Sequence, residues 1–193
     1  MACGRYLKLK KVVGPFLGFL PWLGLALCLG LPTLVAAQAP ASTTPAWVST
    51  TPDLVLVQKS KRKLYLLRGE EVLKEYPIAL GFNPIGDKER EGDGRTPEGR
   101  YILDWRNPDS KFYRSIHISY PNETDIREAA FPEEVLGEYI MIHGSPDWVP
   151  SSEWAANWLQ KENWTEGCIA VTNEEMDEIW RLVPDGTPIE IWP

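Results

Sequence analysis

Cys168 lies in the segment Trp164-Thr-Glu-Gly-Cys-Ile-Ala-Val-Thr-Asn173, and the other two of the chain's three cysteines, Cys3 and Cys28, fall near its start. Only two histidines are present, His117 and His143. This inventory points to nucleophilic catalysis, in which a thiolate needs a nearby base and an anion-stabilising pair of backbone amides. His143 closes the apolar run Tyr139-Ile-Met-Ile142 and is followed by Gly144, so its imidazole is expected to emerge at a strand end beside a permissive backbone. Gly167 leaves the backbone before Cys168 unhindered, and Cys168 brings an amide of its own. His117 alternates with Ile116 and Ile118 and is the remaining candidate for lining a substrate site. The competing reading of Cys168 is a small buried hydrophobe.

Other chemistries find less support. One cysteine and two histidines leave a zinc site short of a ligand, and no Cys-x-x-Cys or His-Glu-x-x-His spacing occurs, so no metal and no cofactor are expected. There is no Gly-x-Ser-x-Gly elbow. The stretch Gly81 to Gly99 is rich in glycine and charge, yet its Gly92-Asp-Gly94 does not join a strand to a helix, and the calcium-loop spacing is missing. It reads as a solvated, turn-rich loop.

The N-terminus carries a different message. Arg5, Lys8, Lys10 and Lys11 precede an uncharged apolar run of 26 residues, Val12 to Ala37, which ends in Val35-Ala-Ala37. That order predicts a secretory signal over residues 1–37, cut after Ala37, although the run is also long enough to remain as an uncleaved membrane anchor. Leu27 stands where a lipid-attachment signal at Cys28 would want Gly or Ala. Export to the periplasm or cell envelope makes the lone downstream thiol notable, because an oxidising compartment offers it no disulfide partner. Removing residues 1–37 takes away four of the 20 basic residues and none of the 27 acids, leaving a net charge near −11 that disfavours nucleic acid as a partner. Residues 38–52, mostly Ala, Pro, Ser and Thr, read as a flexible linker, and residues 53–193 as one catalytic domain.

Within that domain period-two runs dominate. Leu54-Val57, Lys63-Leu67 and Val72-Leu80 predict a meander, and further strands are expected over Gly99–Trp105, Ser115–Tyr120, Tyr139–His143, Cys168–Val171 and Pro188–Trp192. Short helices are expected over Glu123–Ala130, Ser152–Gln160 and Asn173–Val183. The last is capped by Asn173 and carries a core stripe of Met176, Ile179, Trp180 and Val183.

Ile140-Met-Ile-His-Gly144 followed by Thr165-Glu-Gly-Cys168 resembles the catalytic signature of the L,D-transpeptidase (YkuD-type) family, in which a strand-end His-Gly precedes Ser/Thr-His-Gly-Cys. Gly92-Asp-Gly-Arg-Thr-Pro-Glu-Gly-Arg-Tyr101, His117-Ile-Ser-Tyr-Pro-Asn122 and Asp185-Gly-Thr-Pro-Ile-Glu190 are similar to stretches of exported bacterial members. The resemblance implies a mainly β fold, a mixed β-sheet sandwich or barrel with a few short helices, and acyl transfer on peptidoglycan stem peptides without a cofactor. It implies Cys168 as nucleophile, His143 as general base oriented by a backbone carbonyl near Gly144, and the amides of Gly167 and Cys168 as oxyanion donors. A hydrolase using water as acceptor, or a catalytically silent wall-binding domain, would share the same framework. Two departures stand out: Glu166 replaces the motif histidine, and 25 positions separate His143 from Cys168. A carboxylate turned towards the thiol would oppose thiolate formation, so Glu166 is expected to face outward. The added residues, with Trp148, Trp154, Trp158 and Trp164, are expected to cap one rim of the site.

Overall fold

Alternating apolar residues fold the chain into eight strands: β1 (Leu54–Gln58), β2 (Lys63–Arg68), β3 (Glu71–Pro77), β4 (Gly99–Ser110), β5 (Tyr113–Ile118), β6 (Met141–His143), β7 (Ile169–Ala170) and β8 (Thr187–Trp192). The computed structural model describes residues 51–132, 135–146 and 162–193. The expected signal, most of the linker, the helix over Ser152–Gln160 and the tryptophans Trp148, Trp154 and Trp158 lie outside the described residues.

The strands form one mixed sheet in the order β3-β2-β1-β8-β4-β5-β6-β7. Parallel pairs join β1 to β8 and β6 to β7; the remaining pairs are antiparallel. The sheet curls far enough for its ends to meet. Just past β3, Ala79 exchanges two backbone hydrogen bonds of 2.9 Å with Ala170 of β7. The architecture is thus a single sheet closing on itself rather than two stacked sheets.

Strand alternation directs Val55, Val57, Leu64, Leu66, Ile116, Ile118, Ile189 and Ile191 into one core, where each is at most 1% exposed. β4 runs five residues further than expected, because it pairs with β5 through two register shifts that carry polar residues no alternation rule marks. Among the described residues two helices accompany the sheet, and the second packs against β5. α1 (Glu123–Glu128) is capped by Asn122 and buries none of its side chains, stopping two residues before the expected end. α2 (Asn173–Leu182) buries Met176 and Ile179, and Val183 at its end is buried too, as the predicted stripe requires.

The cap of α2 differs from expectation. Thr172, not Asn173, is the N-cap: its hydroxyl accepts from the Glu175 amide at 3.3 Å, while the Glu175 carboxylate accepts from the Thr172 amide at 2.9 Å. Asn173 instead turns its Oδ1 to the Ser145 amide, 2.8 Å away. Both residue types are good caps, so sequence alone could not rank them.

The stretch between Gly81 and Gly99 is turn-rich, with Asp87, Glu89, Arg90 and Glu91 exposed as expected of it, but two buried lysines anchor it. Lys59, 4% exposed, reaches into it and donates to Gly86 O (2.6 Å), Thr96 O (2.8 Å) and Glu98 Oε1 (2.8 Å). Asp93 gathers the amides of Glu89, Arg90 and Arg95 and the ammonium of Lys88 within 2.8–3.0 Å. Burial alone would raise the Asp93 pKa, but these donors, led by the Arg95 amide, hold it below the usual carboxylate range. Part of the segment's charge is thus used internally, in the ion pairs of Lys59 and Lys88, while Asp87, Glu89, Arg90 and Glu91 stay exposed.

Replacing Thr172 by Ala is expected to lower the unfolding free energy by about 1 kcal/mol, with Thr172→Asp close to wild type, measured by urea denaturation. Equal stability of Thr172→Ala and wild type would show that the cap is not at Thr172.

Candidate active site

β6 is the element that positions the candidate base. His143 is its last residue, paired with Ser115 of β5 on one side and Ala170 of β7 on the other, and only 1% exposed. Its Nδ1 lies 2.7 Å from the carbonyl oxygen of Gly144. A carbonyl only accepts, so Nδ1 carries the proton and donates, leaving Nε2 with the lone pair. The ring is packed by Phe112 and Trp164, at centroid distances of 4.7 and 5.6 Å. Burial pushes the imidazole pKa down to about 4, against the smaller opposing effect of the Gly144 bond. His143 is therefore a neutral proton acceptor near pH 7.

The turn after Gly144 is fastened from behind. A Cβ on Gly144 would fall 2.6 Å from Asn173 Oδ1, the atom that accepts from the Ser145 amide. Gly144 thus serves twice, as acceptor for the imidazole and as the residue small enough for Asn173 to approach.

Cys168 immediately precedes β7 and is 6% exposed, with its sulfur as a thiol rather than a disulfide. The thiol points at the carbonyl of Tyr139, 3.7 Å away. Tyr139 has φ +63°, a left-handed conformation that costs a non-glycine residue roughly 1–2 kcal/mol. That strain sits beside the sulfur, where backbone outliers commonly serve a function.

Thr165 orders the turn before the thiol. Its hydroxyl donates to Cys168 O at 2.6 Å and accepts from the Gly167 amide at 3.2 Å. The Gly167 amide is thus engaged within the turn, and oxyanion duty would require it to exchange Thr165 for a substrate oxygen. Gly167 has φ +131°, and a Cβ there would sit 2.6 Å from the Arg95 carbonyl oxygen. Only glycine fits at this crossing.

Cys168 and His143 share the wall of one cavity of about 200 Å³, also lined by Lys88, Glu91, Phe112, Glu138, Tyr139 and Trp164. This is smaller than the roughly 300–1,000 Å³ of pockets that engulf a whole small ligand, so it suits one residue of a longer chain. Glu166 is exposed and belongs to the cavity rim. His117 is not brought to the cavity: its Nδ1 pairs with Asp104 at 2.7 Å and its ring stacks on Trp105, reaching the site only through an edge contact with Tyr139.

Several residues of the site escape sequence reading. Tyr139 and Thr165 act through backbone atoms or a turn, which no side-chain pattern announces. Lys88 sits among surface-type residues, and Phe112 precedes its strand by one position. The tryptophan content did signal Trp164, though not its place against the imidazole.

Comparison with known proteins finds a family model and several similar chains. The YkuD model, describing the L,D-transpeptidase catalytic domain, matches residues 52–191. YafK of Escherichia coli (strain K12) is 34% identical over 140 residues, which cover 69% of this chain and 48% of that protein. Among solved structures, Bdellovibrio bacteriovorus Bd1075 gives a TM-score of 0.51 at 28% identity, covering 74% of this chain and 48% of the other. Pgp2 from Campylobacter jejuni, described as a helical cell shape determining protein, gives 0.53 at 26% identity, covering 72% and 46%. The chain spans about half the length of the curated relatives it matches.

The buried neutral imidazole has a measurable signature. In the unfolded chain His143 binds a proton below about pH 6.5, but in the folded protein only below about pH 4, so its stabilising contribution is complete above 6.5 and is lost as pH falls towards 4. The expected loss over that window is about 3 kcal/mol. Urea denaturation of wild type and His143→Gln at pH 7 and pH 4.5 checks this; equal pH dependence in the two proteins would refute it.

Proposed function

The chain belongs to the L,D-transpeptidase (YkuD) catalytic-domain family, and from that premise we propose that it carries out cysteine-dependent acyl transfer on peptidoglycan stem peptides. The observation that carries the reading is the joint placement of Cys168 and a neutral, Gly144-oriented His143 on the wall of one cavity.

In this reaction Nε2 of His143 takes the thiol proton as the sulfur attacks the carbonyl carbon that precedes the terminal D-amino acid. The developing thiolate favours the imidazolium by opposite charge, so proton transfer and charge pairing are coupled. The carbonyl oxygen becomes an oxyanion held by the Cys168 amide, with the Gly167 amide joining when it releases Thr165. When the C–N bond breaks, the imidazolium returns its proton to the leaving amine, and a thioester on Cys168 remains. An acceptor amine then attacks the thioester, loses its proton to His143 and forms a new amide, while sulfur regains the proton as thiol. With water as acceptor the same groups give hydrolysis and a shortened stem. No step requires a metal or cofactor.

The expected secretory signal over residues 1–37 and linker over 38–52 fit the same reading, since the substrate lies outside the cytoplasmic membrane. We propose a periplasmic or envelope location, with residues 12–37 as a membrane tether if the signal is retained.

Incubating the full chain with stem tetrapeptide and measuring intact mass is expected to show an acyl adduct on wild type and none on Cys168→Ala. His143→Ala is expected to slow its formation by about 10²–10⁴-fold, the usual scale for loss of a general base, whereas His117→Ala leaves it largely intact. Cross-linked dimers in the products identify a transferase, and shortened monomers alone identify a hydrolase. An adduct that persists in Cys168→Ala, or never forms on wild type, would overturn the proposal.

A further inference from the structure

Among the described residues two lysines are buried, Lys59 and Lys88, and they are employed differently. An ammonium group has three N–H donors. Lys59 spends all three on Gly86 O, Thr96 O and Glu98 Oε1, and it does not line the reaction cavity. Its charge is fully used in holding the 81–99 segment. Lys88 donates to Asp93 Oδ1 at 2.9 Å and Arg90 O at 3.0 Å, and among the described residues it has no third acceptor. Its side chain is 3% exposed, and it forms part of the cavity wall shared with Cys168 and His143.

The charges around that cavity sharpen the contrast. Its other charged lining residues are Glu91, Glu138 and Glu166, so among the described residues Lys88 is the one cation facing the reaction space. His143 is neutral and does not compete. A carboxylate entering the cavity is repelled by the acidic rim everywhere except at Lys88. Burying an ammonium is costly, and an ion pair with Asp93 alone repays that cost poorly, so a lysine retained at a cavity wall with a donor left over fits a role in binding.

We propose that Lys88 is a substrate-binding residue that reads the free terminal carboxylate of the donor peptide. The inference rests on the stem-peptide reading above and adds to it the residue that recognises the free carboxylate of the terminal amino acid. A charge-assisted hydrogen bond from the ammonium seats the terminal amino acid, with the scissile carbonyl presented towards Cys168. The exposed carboxylates at the rim remain available to a positively charged amine. Lys88 then fixes the direction in which the peptide enters.

The test is made on the full chain carrying Cys168→Ala, so that binding is read without chemistry. Calorimetric titration with a stem tetrapeptide as the free acid and as its C-terminal amide is expected to show about 10- to 100-fold weaker binding of the amide, the scale of losing one hydrogen bond to a charged group. Adding Lys88→Met is expected to weaken the free acid to the level of the amide, and Lys88→Arg to retain part of the preference. Because Lys88→Met leaves Asp93 buried without its partner, Lys88→Met with Asp93→Asn serves as the second variant, and the acid-to-amide comparison in the parent needs no lysine substitution. Equal affinity for acid and amide in the Lys88 protein, a preference that survives Lys88→Met, or no binding of either peptide would overturn the proposal. Failure of the acylation reading is scored separately, by adduct formation on the thiol-bearing chain.

Discussion

Three stretches of backbone meet behind the nucleophile at distances that exclude a side chain, and the site depends on that convergence. A Cβ on Gly81 would fall 2.1 Å from the Gly94 carbonyl oxygen and 3.1 Å from the Cα of Gly167, while one on Gly167 would fall 2.6 Å from the Arg95 carbonyl oxygen. Contacts this close fix the Gly167-Cys168 turn relative to the 81–99 segment far more tightly than side-chain packing could. The sheet supplies the rest of the frame: Ala79 and Ala170 close its edges, and Phe82 and Thr165 are tied by a backbone bond of 2.8 Å. The thiol is positioned by backbone, and the 81–99 segment, which lies far from it in sequence, is part of the same construction.

This explains the polar investment in that segment. Asp93 with its four donors and Lys59 with its three acceptors do not deepen the hydrophobic core; they hold a loop in one shape against the nucleophile turn. Buried ion pairs are weak contributors to net stability, but they are demanding about geometry, since a misplaced partner leaves a charge uncompensated. The segment thereby carries rigidity to a site built on very short strands: His143 ends the three-residue β6, and Cys168 immediately precedes the two-residue β7.

Much of this was readable in the sequence, and the pattern of success follows the physics. Strand alternation placed β1, β2 and β8 correctly because one face of each is buried and the side-chain period is strict. His143 and Cys168, which line one cavity, were readable as candidates because a cysteine nucleophile and its base would have to be particular residue types next to glycines. What escaped detection is carried by backbone or by charge turned inward. Lys88 looks like one of many charged loop residues until its burial is known, and Tyr139 contributes a carbonyl and an unusual φ rather than its ring. The expectation that Asn173 caps α2 failed because Thr172 and Asn173 are equally competent, and the choice is settled by Ser145, 28 positions away, which needs the asparagine oxygen.

The electrostatics of the cavity follow from the same frame. With Glu166 in place of the motif histidine, the rim is acidic, and a second imidazolium that would favour thiolate is absent from it. The exposure of Glu166 allows water to screen its effect on the sulfur, as a carboxylate in high dielectric acts weakly. The neutral His143 is the complementary feature. A resting imidazolium would have to be maintained against burial, whereas a neutral imidazole carries no such cost. Under the proposed acyl transfer, charge would arise as substrate excludes water, when the attraction between thiolate and imidazolium is strongest. In that proposed reaction, an acidic rim and a cysteine nucleophile are compatible because the imidazole stays uncharged until it takes the thiol proton.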